Sequence, residues 1–249
     1  MFFLRMEDLT LLGASPETAL KVARDSQGER RLEIRPIAGT KPRGVREGQL
    51  DPDLDSRYES ELKLDAKELA EHVMLVDLAR NDVARVARPG SRRAEQLFSV
   101  EKYSHVQHLV SRISGVLDDG FDPLHAYLAT MNMGTLTGAP KVEAMRLLRR
   151  VERTRRGFYG GAVGYYLFNG DFDTAIVIRS LLLSGGLAAT RAGAGVVHDS
   201  LPRREAEETA RKASAPLAAL GFPGSTEAPQ DRPAVTEAAI RSGGTEASP

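Results

Sequence analysis

The chain has 249 residues, 41% apolar and 27% charged, with 34 basic side chains against 34 acidic ones and no cysteine. That length buries a sizeable core, and a zero net charge supplies no field to recruit nucleic acid or an anionic membrane. The missing cysteines exclude disulfides, thiolate zinc and a cysteine nucleophile. No apolar run reaches membrane length and the first residues lack the layout of a signal peptide, so the default expectation is a cytoplasmic protein.

Residues 2–4, 9–14 and 31–37 read as short strands, interrupted by the charged, Gly/Ser-containing segment 25–30. The chain is strand-like from Phe2, which predicts an edge strand whose partners lie elsewhere or are missing. Ser15-Pro16-Glu17 has the form of a helix start, with Ser15 as cap and Glu17 stabilising the helix end. Pro36-Ile37-Ala38-Gly39-Thr40 is a strand end running into a turn. There, backbone N–H groups and a hydroxyl can meet an anion, or simply form the turn.

Helices are expected over 53–62 and 65–81, the second with a buried stripe of Leu69, Val73 and Val76. Strands follow near 96–101 and 103–113. The latter holds His105 and His108, a pair that invites zinc but lacks a third ligand. A base, a hydrogen-bond donor or a structural histidine are the remaining readings. A helix near 122–130 leads to Gly134-Thr135-Leu136-Thr137-Gly138-Ala139-Pro140-Lys141, which lacks the spacing of a phosphate loop. Pro140 opens a helix to about 152 whose first amides favour anions. Arg149, Arg150, Arg153, Arg155 and Arg156 fit a solvated helix end favoured by the dipole.

Residues 158–168, an Asn169-Gly170 turn and 172–183 predict a β-hairpin, and Ser184-Gly185-Gly186 a second turn into 187–197. Arg179, inside an apolar strand, needs a carboxylate partner from a ligand or from one of the glutamates. Gly193-Ala194-Gly195 lets a ligand approach the backbone. A last helix runs from about 202 towards 220, with Pro216 expected to kink or end it. From Pro223 the composition reads as a disordered tail, leaving 1–222 as the folded core.

Two acidic repeats stand out, Glu68-Leu69-Ala70-Glu71 and Glu205-Ala206-Glu207-Glu208, each setting carboxylates side by side on one helix face. Either alone is ordinarily a solvated face. Their apolar and Gly-rich surroundings suggest that both point inward. Four carboxylates facing one cavity would need a cation, and hard oxygen donors suit Mg2+.

The stretches Pro36–Thr40, Lys67–Asp82, Tyr103–Ser111, Met131–Lys141, Tyr159–Tyr165 and Arg191–Ser200 occur in an order that closely resembles the chorismate-utilising enzymes. Within them the chain is most similar to component I of anthranilate synthase, in its enterobacterial-type subgroup. The resemblance spans residues 2 to about 221. It implies an α+β fold of large antiparallel sheets flanked by helices, with residues 1–222 as the C-terminal portion of the family's catalytic core. It also implies a Mg2+-dependent carbon–oxygen lyase that makes anthranilate and pyruvate from chorismate and ammonia, the first step of tryptophan biosynthesis. A glutamine amidotransferase subunit, component II, would supply the ammonia in a hetero-oligomer.

By the same resemblance Glu71 and Glu208 are the principal metal ligands, with Glu68 and Glu205 supporting them through water. Glu17 matches the acid that protonates the departing hydroxyl, and His108 the group that removes a proton in the elimination. Gly39, Thr40, Thr135, Tyr159, Arg179, Gly193, Ala194, Gly195 and Lys212 match chorismate contacts. Ala38 stands where covalent aminodeoxychorismate synthases carry a nucleophilic lysine, and alanine cannot serve. The resemblance also implies an upstream portion, with the tryptophan feedback site, that this chain lacks. The fold is therefore expected to be truncated on its N-terminal side, with exposed sheet edges. The alternatives are a non-catalytic remnant, or formation of aminodeoxyisochorismate, aminodeoxychorismate or isochorismate.

Overall fold

The computed structural model describes residues 1–221, so the tail expected from residue 223 lies outside the described residues. The chain begins β1 (Phe2–Arg5), β2 (Leu9–Gly13), β3 (Thr18–Arg24), β4 (Arg30–Ile34) and β5 (Ile37–Pro42), then a short hairpin of β6 (Val45–Arg46) and β7 (Gln49–Leu50). Next come α1 (Pro52–Leu64), α2 (Ala66–Ala84), β8 (Arg93–Lys102), β9 (Val106–Val116), α3 (Pro123–Thr130), α4 (Gly134–Thr137) and α5 (Lys141–Val151). It closes with β10 (Ala162–Tyr166), β11 (Phe172–Ile176), β12 (Ser180–Ser184), β13 (Leu187–Thr190) and α6 (Pro202–Ala219). This is the α+β architecture expected, with antiparallel pairing throughout the registered strands.

The chain divides into two compact units. Among the described residues, the smaller combines Met1–Pro16, Arg155–Val163 and residues 176–221. Its sheet runs β1-β2-β12-β13, so β1 is the edge strand that the opening residues suggested, and α6 packs on β13.

The larger unit, Glu17–Thr154 with Gly164–Ala175, holds a sheet in the order β10-β11-β3-β4-β9-β5, with β8 also paired to β9. In β10 only the residues from Gly164 on belong to this unit. α2 lies across β4, β5 and β9, and α1 covers β5. Leu20, Leu32, Ile34, Leu62, Leu109 and Ile113 are buried in this core. Asp65 caps α2 by accepting from the amides of Lys67 and Glu68. The buried face of α2 is His72, Leu75, Val76, Ala79 and Val83, a helical spacing. Val73, expected in that stripe, is half exposed because it lies one position off it.

Local expectations are corrected at several points. Ser15-Pro16-Glu17 does not open a helix: Thr18–Arg24 is a strand, because pairing with β4 and β11 on both sides outweighs the local cap signal. The 172–183 run is two strands in different sheets, broken at Arg179 with φ +51°, and the strand expected over 187–197 ends at Thr190. Gly134–Thr137 forms one helical turn. Pro216 sits buried inside α6, which continues only to Ala219, so few hydrogen bonds remain beyond it to be lost.

Beneath α2, the Phe98 amide donates to Ser111 Oγ at 3.0 Å, and Ser111 Oγ is 2.6 Å from His72 Nε2. Burial holds the His72 ring neutral and pushes its pKa down to about 4. The unfolded chain therefore takes up a proton near pH 6.5 that the folded chain refuses until about pH 4. Stability should fall as pH drops through that window, with a His72 share approaching ~1.4 kcal/mol per pH unit. Urea midpoints between pH 7 and 4.5 check this. His72→Gln should flatten the slope, and an unchanged slope would refute the assignment.

Candidate active site

In the larger unit, Gly39 sits at a bulge where the β5–β9 register shifts, with φ +74°. A Cβ there would come 2.8 Å from Leu62 Cδ1 and 3.2 Å from Glu68 Oε2. The missing side chain is what lets the Glu68 carboxylate lie against β5. From the neighbouring strand, His108 Nδ1 lies 3.0 Å from Thr40 Oγ1 and 3.2 Å from the Gly39 carbonyl. A carbonyl only accepts, so the neutral ring carries its proton on Nδ1 and presents Nε2 as the basic nitrogen. The Tyr103 ring meets His108 edge-on at 5.7 Å. Glu68, Gly39, Thr40 and His108 are thus brought together, and Glu71 follows one turn along α2. His105 is exposed in the turn before β9, which removes the zinc reading of the pair.

Glu17, just ahead of β3, is 8% exposed. With Asp82, Thr135 and apolar neighbours it lines a cavity of about 20 Å3, room for one water-sized molecule. Thr135 Oγ1 is buried and has no hydrogen-bond partner among the described residues. Sequence reasoning missed Asp82, which is 7% exposed and ion-paired to Lys141 at 2.5 Å. Burial pushes the Asp82 carboxyl upward, opposed by Lys141. Only its place inside the Lys67–Asp82 stretch, on the same helical strip as Glu71, could have flagged it.

The smaller unit forms a second cluster. Lys212 Nζ is 2.5 Å from Glu208 Oε1 and donates to the Gly193 carbonyl at 3.2 Å. Tyr159 Oη lies 3.2 Å from where a Gly193 Cβ would stand, and the guanidinium groups of Arg156 and Arg191 flank the Tyr159 ring at 5.8 and 5.9 Å. The role of Arg156 as a stacking partner, rather than a solvated helix end, was not legible from the arginine cluster. Arg179 is half-buried. Burial lowers its pKa, while the charges of Tyr159 and Glu208 act in the opposite direction. Ala194 and Gly195 continue the loop from Gly193 outside any strand, and Glu205 lies in the first turn of α6.

Carboxylate oxygens are the donors that Mg2+ takes. Among the described residues no group of three His, Asp or Glu side chains converges tightly enough to hold a metal unaided. The donors present suit an ion that keeps several waters, and a cation taken up by Glu208 must share it with Lys212 or displace it.

A carbonyl-anchored histidine and a glycine bulge under a carboxylate lie together on the larger unit, and in the smaller unit a lysine bridges a glycine-rich loop to an acidic helix. The chain belongs to the chorismate binding enzymes, whose family model matches residues 1–218. It is 59% identical over 221 residues to anthranilate synthase component 1 of Escherichia coli, which covers 88% of this chain and 42% of that protein. The crystal structure of anthranilate synthase component I from Streptococcus pneumoniae superposes with a TM-score of 0.74 at 35% identity, covering 86% of this chain and 45% of that one. The menaquinone-specific isochorismate synthase of Escherichia coli superposes at 0.72 with 25% identity, covering 86% and 46%. The chain therefore spans less than half the length of the curated relatives it matches.

Gly39→Ala should destabilise the fold by about 2 kcal/mol, through the left-handed φ and the contacts with Leu62 and Glu68. Urea unfolding measures this. An alanine variant as stable as the parent would show that the bulge is not confined as described.

Proposed function

We propose that this chain is the catalytic portion of an anthranilate synthase component I, converting chorismate and ammonia into anthranilate, pyruvate and water. The observation that carries the reading is the grouping of His108, Gly39, Thr40 and Glu68 on the larger unit. The identity to component 1 relatives supports it. Soluble ammonia, or ammonia delivered by a glutamine amidotransferase subunit, forms a bond to C2 of chorismate while the C4–O bond breaks. Glu17 gives its proton to the departing hydroxyl, which leaves as water. His108 Nε2 then takes the C2 proton, the bond from C3 to the enolpyruvyl oxygen breaks, and the ring becomes aromatic as pyruvate departs.

Arg179 grips the enolpyruvyl carboxylate, and Gly193, Ala194 and Gly195 let the substrate lie close to the backbone. Tyr159, Thr40, Thr135 and Lys212 orient it. Glu71 and Glu208 would hold Mg2+, with Glu68 and Glu205 in support, and the metal would supply positive charge against the ring carboxylate. No lysine nucleophile is available at Ala38, so ammonia attacks directly.

Purified chain with chorismate, Mg2+ and ammonium, alone and joined to the N-terminal portion of the Escherichia coli relative, should yield fluorescent anthranilate. Mass spectrometry separates this product from aminodeoxyisochorismate, aminodeoxychorismate and isochorismate. No anthranilate in either arrangement would defeat the reading.

Glu71→Gln and Glu208→Gln should each weaken Mg2+ binding roughly tenfold or more, since a neutral amide oxygen replaces a charged one. Calorimetric titration in the presence of chorismate tests this, and affinities equal to the parent in both variants would remove the two residues from the metal.

A further inference from the structure

The proposed chemistry leaves Lys141 without a part, yet its side chain is only 14% exposed. Its Nζ pairs with Asp82 Oδ2 at 2.5 Å and donates to the Thr130 carbonyl at 2.9 Å. One ammonium thus ties α2 to the end of α3 and the start of α5. Thr130 and Lys141 bracket the segment 131–140, so the same contact draws its two ends together.

Midway along, Gly134 is pressed onto α2: a Cβ there would come 2.5 Å from Leu78 Cδ1. The segment is otherwise stiffened from within, by Thr137 Oγ1 donating to the Met133 carbonyl and the Gly138 amide to that of Gly134. The turn rests on Leu75 and Leu78 of α2 through apolar packing, which is weakly directional, while the clasp supplies donors of fixed direction at both of its ends. Thr135, next to Gly134, shares the small cavity with Glu17 and Asp82. A buried ion pair adds little net stability over apolar packing, whereas its fixed donor directions define geometry.

We propose that Lys141 is a positioning residue of the active site, which through Asp82 and the Thr130 carbonyl fixes segment 131–140 against α2 and so sets where Thr135 stands relative to Glu17. The proposal rests on the reading of Glu17 and Thr135 as parts of the chorismate site.

The test uses the full chain carrying Lys141→Met, the pair Asp82→Leu with Lys141→Met, Thr135→Ala, and Lys141→Met with Thr135→Ala. Apolar replacement of both ions keeps the pair variant folded, so its melting temperature returns towards that of the parent. Hydrogen exchange of peptides covering 131–140 should nevertheless quicken about tenfold in both Lys141 variants, with β9 peptides unchanged. In turnover, Lys141→Met should lower kcat/KM for chorismate about 10- to 100-fold. Thr135→Ala should then cost much less in that background than in the parent, because residues acting through one another are not additive. Unaltered exchange in 131–140, or fully multiplicative effects of the two substitutions, would overturn the proposal. If the parent makes no anthranilate, the activity reading falls, and the exchange measurement still decides whether Lys141 holds the segment.

Discussion

The larger unit depends on one close approach, the seating of α2 on β5 at a residue with no side chain. Gly39 takes a left-handed conformation at a register shift, and the space it leaves is filled by Leu62 and the Glu68 carboxylate. The same peptide carbonyl accepts from His108. One backbone position therefore sets both the carboxylate on the helix and the tautomer of the ring on the strand. Helix packing and proton chemistry are settled by a single steric fact.

Charge in the two units is handled by local pairing. Asp55 accepts from Arg43, the Gly44 amide and Lys102, which hold its carboxyl well below the usual range. Lys212 neutralises Glu208 in the smaller unit and Lys141 does the same for Asp82 in the larger. For Asp82 the companion opposes the upward push of burial, so the lysine favours the charged carboxylate.

Much of the fold was readable from the chain because its signals are local. The α1 and α2 boundaries follow Asp51 and Asp65, both cap residues, and the turn at Asn169-Gly170 is a two-residue hairpin signal. What was not readable depends on distant partners. Thr18–Arg24 becomes a strand because β4 and β11 flank it, and Arg179 breaks a strand because β12 pairs with β2. For the site, periodicity put Glu68 and Glu71 on one face of α2, but the contact of Glu68 with Gly39 needed coordinates. Glu17 read as a carboxylate stabilising a helix end, and only the resemblance to chorismate enzymes gave it chemistry. Helical spacing places Asp82 on the strip of Glu71, but its pairing with Lys141 carried no signal, since that contact joins residues far apart in the chain.

The smaller unit is assembled from three separate stretches of chain. Strand β2 meets its neighbour β12 only after about 170 further residues have been added, whereas β3, β4 and β5 follow one another directly and β9 joins them within about 85 residues. During synthesis the first hairpin therefore emerges long before the strand that completes its sheet, while the larger unit can gather around α2. The order of emergence makes the smaller sheet the last part to close, and its early hairpin the part that must be kept from wrong partners in the meantime.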